Sequence, residues 1–101
     1  MELARVVGTV VATRKDDSLL GKKLLLIQPL SPTLVPQGNA RVMVDTAGSG
    51  IGELVLFVTG AAARNAAGRT DAAIDGAVVG IVDSVEVDEQ WLRPSEREGK
   101  S

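Results

Sequence analysis

The sequence predicts an all-β domain: five strands closed, or nearly closed, into a small barrel, with one short helix. Three observations predict it. β-Branched and aliphatic residues come in five short runs, separated by Gly, Pro, Asn or Asp. One alanine-rich stretch interrupts the series without creating a strand–helix–strand alternation. The 101 residues suffice for one domain and not for two. The expected division is a domain over residues 1–90 and a polar, flexible C-terminal tail over 91–101.

Residues 5–13, R-V-V-G-T-V-V-A-T, form the first predicted strand. Alternation places Val6, Gly8, Val10 and Ala12 on one face and Val7, Thr9, Val11 and Thr13 on the other. Asp16, Asp17, Ser18 and Gly21 then supply turn chemistry over 15–21. The second strand, 22–28, has the continuously apolar centre Leu24-Leu25-Leu26-Ile27. Pro29, Pro32 and Pro36 interrupt regular structure, so 29–39 is a long connection, turned back at Gln37-Gly38-Asn39. The third strand, 41–46, sets Val42 and Val44 opposite Met43 and Asp45. After the turn Ala47-Gly48-Ser49-Gly50-Ile51-Gly52, the fourth strand, 53–59, is apolar on both faces. Gly60 opens a run of alanines in which two turns of helix are expected, ending at Gly68. A polar loop over 69–76 leads to the last strand, 77–87, apolar as far as Val82 and alternating from Ser84.

A barrel needs only its inward positions to be apolar, yet several of these strands carry apolar residues outward as well. Two explanations stand. The helix and long loops cover them, or other subunits do; a chain this size has little spare loop, which favours the second.

Apolar residues make up 45% of the sequence, nearly all of them aliphatic, with Phe57 and Trp91 the only aromatics. The absence of Cys excludes disulfides and thiolate chemistry. The absence of His and Tyr as well removes the commonest bases, nucleophiles and zinc ligands. Asp45, Glu53, Asp71, Asp75 and Asp83 read more simply as solvated or turn-capping carboxylates than as an acid–base pair. Asp16-Asp17 lacks the further oxygens that calcium requires. No catalytic residue, metal or cofactor is therefore expected, and the chain does not read as an enzyme.

The formal charge is −2, and the basic pairs Arg14-Lys15 and Lys22-Lys23 flank Asp16-Asp17. With no basic footprint and no aromatic platform, nucleic acid is not an expected partner. No apolar run approaches the roughly 18 residues of a membrane span. Met1 to Arg5 lacks the basic start and apolar run of a signal peptide. A cytoplasmic protein with no membrane partner is expected.

Gly48-x-Gly50-x-Gly52 invites a nucleotide reading, but the glycines lead into a strand and a dinucleotide fingerprint must open a helix. A tight turn with positive φ is the simpler reading. Its backbone N–H groups could also line an anion-binding concavity. Asp45-Thr46-Ala47-Gly48 matches a GTPase switch only by chance, because no phosphate-binding loop precedes it.

Five segments, in order, resemble the EutN/CcmL family of microcompartment vertex proteins. Residues 5–15 are similar to the family's V-x-G-x-V-V-A-T-x-K, and 20–30, L-G-K-K-L-L-L-I-Q-P-L, to L-x-G-x-K-L-L-x-V-x-P-L. Residues 44–56, V-D-T-A-G-S-G-I-G-E-L-V-L, resemble V-D-x-V-G-A-G-x-G-E-x-V-L. G-A-A-A-R at 60–64 resembles G-S-S-A-R, and 70–83 are similar to P-V-D-A-A-V-V-G-I-V-D. The chain departs from the pattern at Ala47, at Ala61 and Ala62, and at Thr70 and Ile74-Asp75-Gly76. The resemblance covers roughly residues 2–88.

The resemblance implies an OB-like barrel without a nucleic-acid role. It implies a cyclic pentamer that closes the fivefold vertices of a shell, with hexameric shell proteins as partners. A ring of six is compatible with the same chain, since a small rotation per interface decides closure. By the same resemblance Gly48, Ser49, Gly50, Ile51, Gly52 and Glu53 lie towards the ring axis. Gly60, Ala61, Ala62, Ala63 and Arg64, with Val79 and Ile81 of the last strand, contribute to the subunit interface. The competing reading is a small oligomeric barrel that binds a ligand or anion and has no shell role.

Overall fold

The computed structural model describes residues 1–11, 23–66 and 76–91. Its elements are β1 (Glu2–Val10), β2 (Leu24–Leu30), β3 (Arg41–Asp45), β4 (Leu54–Thr59), α1 (Gly60–Ala66) and β5 (Gly76–Ile81), followed by a 3₁₀ turn, Glu89–Trp91. The strands close a barrel in the order β1-β2-β3-β5-β4 and back to β1. Every neighbouring pair is antiparallel except β3 and β5. The predicted turn over 15–21, the helix stop at Gly68, the loop carrying Asp71 and Asp75, and the tail beyond Trp91 lie outside the described residues.

Pairing partners move two strand boundaries away from the sequence expectation. β1 begins at Glu2 because Glu2 to Arg5 pair with β4, while Leu3 to Val10 pair with β2. β5 stops at Ile81 because its partner β4 runs out: Val82 donates one more bond to the Leu54 carbonyl, and residues 83–88 are not strand. A run of apolar and alternating residues is not a strand without a neighbour to bond.

Pro29 does not end β2; it pairs with Ala4. β3 pairs with β2 only up to Ile27, so Pro29 sits where one edge of the strand is free and a missing N–H costs nothing. The connection after it is compact. Pro36 bridges back to Leu30, the Gln37 N–H donates to the Pro29 carbonyl, and the buried Ser31 hydroxyl accepts from the Thr33 and Val35 N–H groups.

The faces of β1 also differ from simple alternation. Val6 pairs with Ile27 and Gly8 with Leu26, leaving Val7 as an unpaired extra residue. This bulge reverses the phase of the strand. Ala4 and Val6 point inward before it; after it Thr9 takes the inward register opposite Leu25, and Gly8 and Val10 turn outward. Val79 is the corresponding extra residue of β5, between Gly80 opposite Leu56 and Val78 opposite Phe57.

The barrel interior is filled by Ala4, Val6, Leu25, Ile27, Met43, Val55, Phe57 and Val78. A second apolar cluster lies outside the barrel wall, where Ala63 of α1 packs on Val44 and Ala77, with Leu24, Val58 and Val79 against them. Cover by the helix therefore explains part of the outward apolar surface. It does not explain Val42, which is 52% exposed, nor Val7 and Ile81, which are also exposed.

Candidate functional site

The glycine turn between β3 and β4 is built around two carboxylates. Asp45, the last residue of β3, has a side chain that is 1% exposed. Its Oδ1 accepts from the N–H groups of Ala47 (2.9 Å) and Gly48 (3.1 Å) and from the Ser49 hydroxyl (3.1 Å). Its Oδ2 accepts from the Ser49 N–H at 2.9 Å. Glu53 Oε1 accepts from the Gly50 N–H at 2.6 Å. Gly48 and Gly52 have φ of 77° and 92°, values that glycine adopts without the penalty a Cβ brings.

Successive N–H groups of this kind form a nest for an anion. Here the anion is the chain's own: the donors of Ala47, Gly48, Ser49 and Gly50 are occupied by Asp45 and Glu53, and Gly52 N–H donates to the Val6 carbonyl. The loop is a self-satisfied structure and not an open anion-binding concavity. The same contacts account for the two carboxylates as turn-holding groups.

Burial by itself raises the pKa of the Asp45 carboxyl. The hydrogen bonds from the Ala47 N–H, the Ser49 hydroxyl, the Lys23 ammonium and the Ser49 N–H outweigh it, so the carboxyl is held below its ordinary value.

Three strands fasten this loop. Lys23, just before β2, places Nζ 2.5 Å from the Ser49 carbonyl and 3.4 Å from Asp45 Oδ2. Thr46 donates through both N–H and hydroxyl to the Val78 carbonyl of β5. On β1, Val6 N–H donates to the Glu53 carbonyl and Arg5 Nη1 to the Gly52 carbonyl. The tip that emerges is Ile51, 67% exposed.

The structure thus brings Gly48 to Glu53 together as one ordered loop. Of the other anticipated residues, Gly60, Ala61, Ala62 and Ala63 lie on α1 with Arg64, whose side chain lies outside the described residues. Ala63 is buried on the barrel wall, and Ala61 and Ala62 are exposed. Val79 packs against the cluster beneath the helix, while Ile81 stands exposed at the end of β5. Sequence reasoning missed Lys23, Arg5 and Thr46 as loop-holding residues. The only signal for Lys23 was the lysine at its place in the second matching segment; its partners are distant in sequence.

Comparison with known proteins places this arrangement. Residues 1–83 match the model of the family described as ethanolamine utilisation protein EutN/carboxysome. The microcompartment shell vertex protein GrpN of Rhodospirillum rubrum is 50% identical over 86 residues, covering 85% of this chain and 97% of GrpN. The carboxysome shell vertex protein CcmL of Gloeobacter violaceus is 41% identical over 92 residues, covering 91% of this chain and 92% of CcmL. The solved structure of GrpN, a pentameric microcompartment shell protein, superposes with a TM-score of 0.79 at 48% identity, covering 87% of this chain and 100% of that one. A match of this extent, on a closed five-stranded barrel with one short helix, makes the chain a member of the EutN/CcmL family of microcompartment shell proteins.

Proposed function

We infer that this chain is a structural subunit of a bacterial microcompartment shell, whose pentamers cap the fivefold vertices between facets of hexameric shell proteins. The observation that carries this reading is the likeness, over the whole length of the partner structure, to a pentameric shell protein. A flat hexagonal layer closes only where fivefold points interrupt it, so the ring symmetry is itself the function. The chain acts by shape and contact and not by catalysis, in a shell that lies in the cytoplasm.

In the ring, the loop from Gly48 to Glu53 faces the axis. Its internal hydrogen bonds support this reading, because copies that meet at an axis need a fixed shape. Gly60 to Arg64 of α1, with Val79 and Ile81, form the contact between neighbours. The exposed methyl groups of Ala61 and Ala62 allow close approach, and Ile81 offers apolar surface. Ala63 acts from beneath by holding the helix on the barrel. Arg64→Ala weakens the ring if the guanidinium pairs across the interface; an unchanged oligomer mass at low micromolar concentration counts against that role.

The test of the whole reading is the native mass of the purified protein. Five copies of the 10.5 kDa chain are expected. A stable monomer overturns the shell role in favour of a small binding barrel, and six copies remove it from the vertex. Co-expression with hexameric shell proteins supplies the second readout: shells that close normally without this chain overturn the vertex assignment.

A further inference from the structure

Lys23 stands outside every residue assigned above to ring axis or interface, yet it touches the glycine loop at two points. Its ammonium meets the Ser49 carbonyl at 2.5 Å and Asp45 Oδ2 at 3.4 Å. An ion pair between two exposed side chains contributes little. This pair is asymmetric: the lysine side chain is 51% exposed, whereas the carboxylate is 1% exposed and holds three loop residues. Removing the cation leaves a buried carboxylate with less to offset its desolvation. It also frees the Ser49 carbonyl, on the far side of the same turn.

We infer that Lys23 is the positioning residue of the glycine loop, fastening it to β2 in the one shape that lets neighbouring subunits meet in the ring. The first half of the inference rests on contacts within one protomer; the second rests on the pentamer reading above. Asp45 is joined to β2 by its backbone as well, since its N–H donates to the Lys23 carbonyl. The main chain therefore fixes where the loop starts. The ammonium fixes how it folds back, because it alone of the two links reaches Ser49.

The experiment compares Lys23→Met, which keeps the alkyl stem and loses the charge, with Lys23→Arg, which keeps the charge. Amide hydrogen exchange is read at Ala47, Gly48 and Ser49, with Leu25 and Val55 of the barrel as internal controls, and the dissociation of the oligomer is followed by dilution. Lys23→Met is expected to speed exchange of the three loop amides by about tenfold, what loss of a charge-assisted hydrogen bond implies. The barrel amides stay protected, the ring dissociates at a several-fold higher concentration, and Lys23→Arg restores both. Loop amides as protected in Lys23→Met as in the parent chain overturn the positioning role. So does an arginine variant that behaves like the methionine one. A loosened loop in an undisturbed ring overturns the link to assembly. A parent chain that is monomeric overturns the shell reading instead, and leaves the exchange comparison standing.

Discussion

Met43 occupies the space in which a side chain at Gly76 would begin. A Cβ on Gly76 would lie 2.7 Å from Met43 Cε and 2.8 Å from Sδ. Methionine is flexible, but this one is buried among Leu25, Ile27 and Phe57 in the barrel interior and has little room to give. Gly76→Ala is therefore expected to destabilise the protomer by about 1–3 kcal/mol, measured by urea unfolding. In a Met43→Ala background the same substitution should cost much less, since the atoms it strikes are gone. Equal costs in the two backgrounds would show that the contact is not the cause.

The Asp45 carboxyl is held below its ordinary 3.8 in the folded chain. A group whose pKa falls on folding adds stability above its unfolded value, and that stability is lost as pH drops through the folded one. Unfolding free energy should accordingly fall in a window below about pH 4. Asp45→Asn should be less stable at neutral pH by about 1–3 kcal/mol, having weaker acceptors for four donors, and should lack this component of the acid transition. Parallel pH profiles for the two proteins would count against the carboxylate as its source.

Leu34 is the one described residue other than glycine with positive φ, at 68°. The left-handed conformation costs an L side chain roughly 1–2 kcal/mol, less for Asn. The Ser31 carbonyl receiving the Leu34 N–H and the Val35 carbonyl receiving the Ser31 N–H hold it there. Leu34→Asn is expected to raise protomer stability by up to about 1 kcal/mol. A loss of stability would mean that the half-exposed leucine side chain contributes more than its backbone costs.

Ile81, at the end of β5, offers a test of the proposed subunit contact. It is exposed in the protomer, so Ile81→Asp should change the stability of an isolated chain little. Buried between subunits, an unpaired carboxylate would be strongly disfavoured. Native mass should shift from ring towards monomer, with the circular dichroism of the β-barrel retained. An intact ring would remove Ile81 from the interface.

The five strands, their apolar centres and the short helix were legible in the sequence, because each is written in neighbouring residues: β-branched runs, a stretch of alanines, glycines where the chain turns. The glycine turn was legible as a turn for the same reason. Its inner chemistry was not. That Asp45 fills the nest, that Lys23 crosses to Ser49, and that Thr46 bonds to Val78 depend on which strands lie side by side.

The same divide separates composition from placement. By itself the sequence determined a small aliphatic barrel without His, Cys or Tyr, and carried the pattern of its family. Only the tertiary structure decided where the strands end, since a backbone donor becomes strand only when a neighbour accepts it. Closure of the barrel put Glu2 to Arg5 beside β4 and left residues 83–88 unpaired. The bulge at Val7 then chose which of the valines face water, because one extra residue in a strand reverses every side chain that follows it.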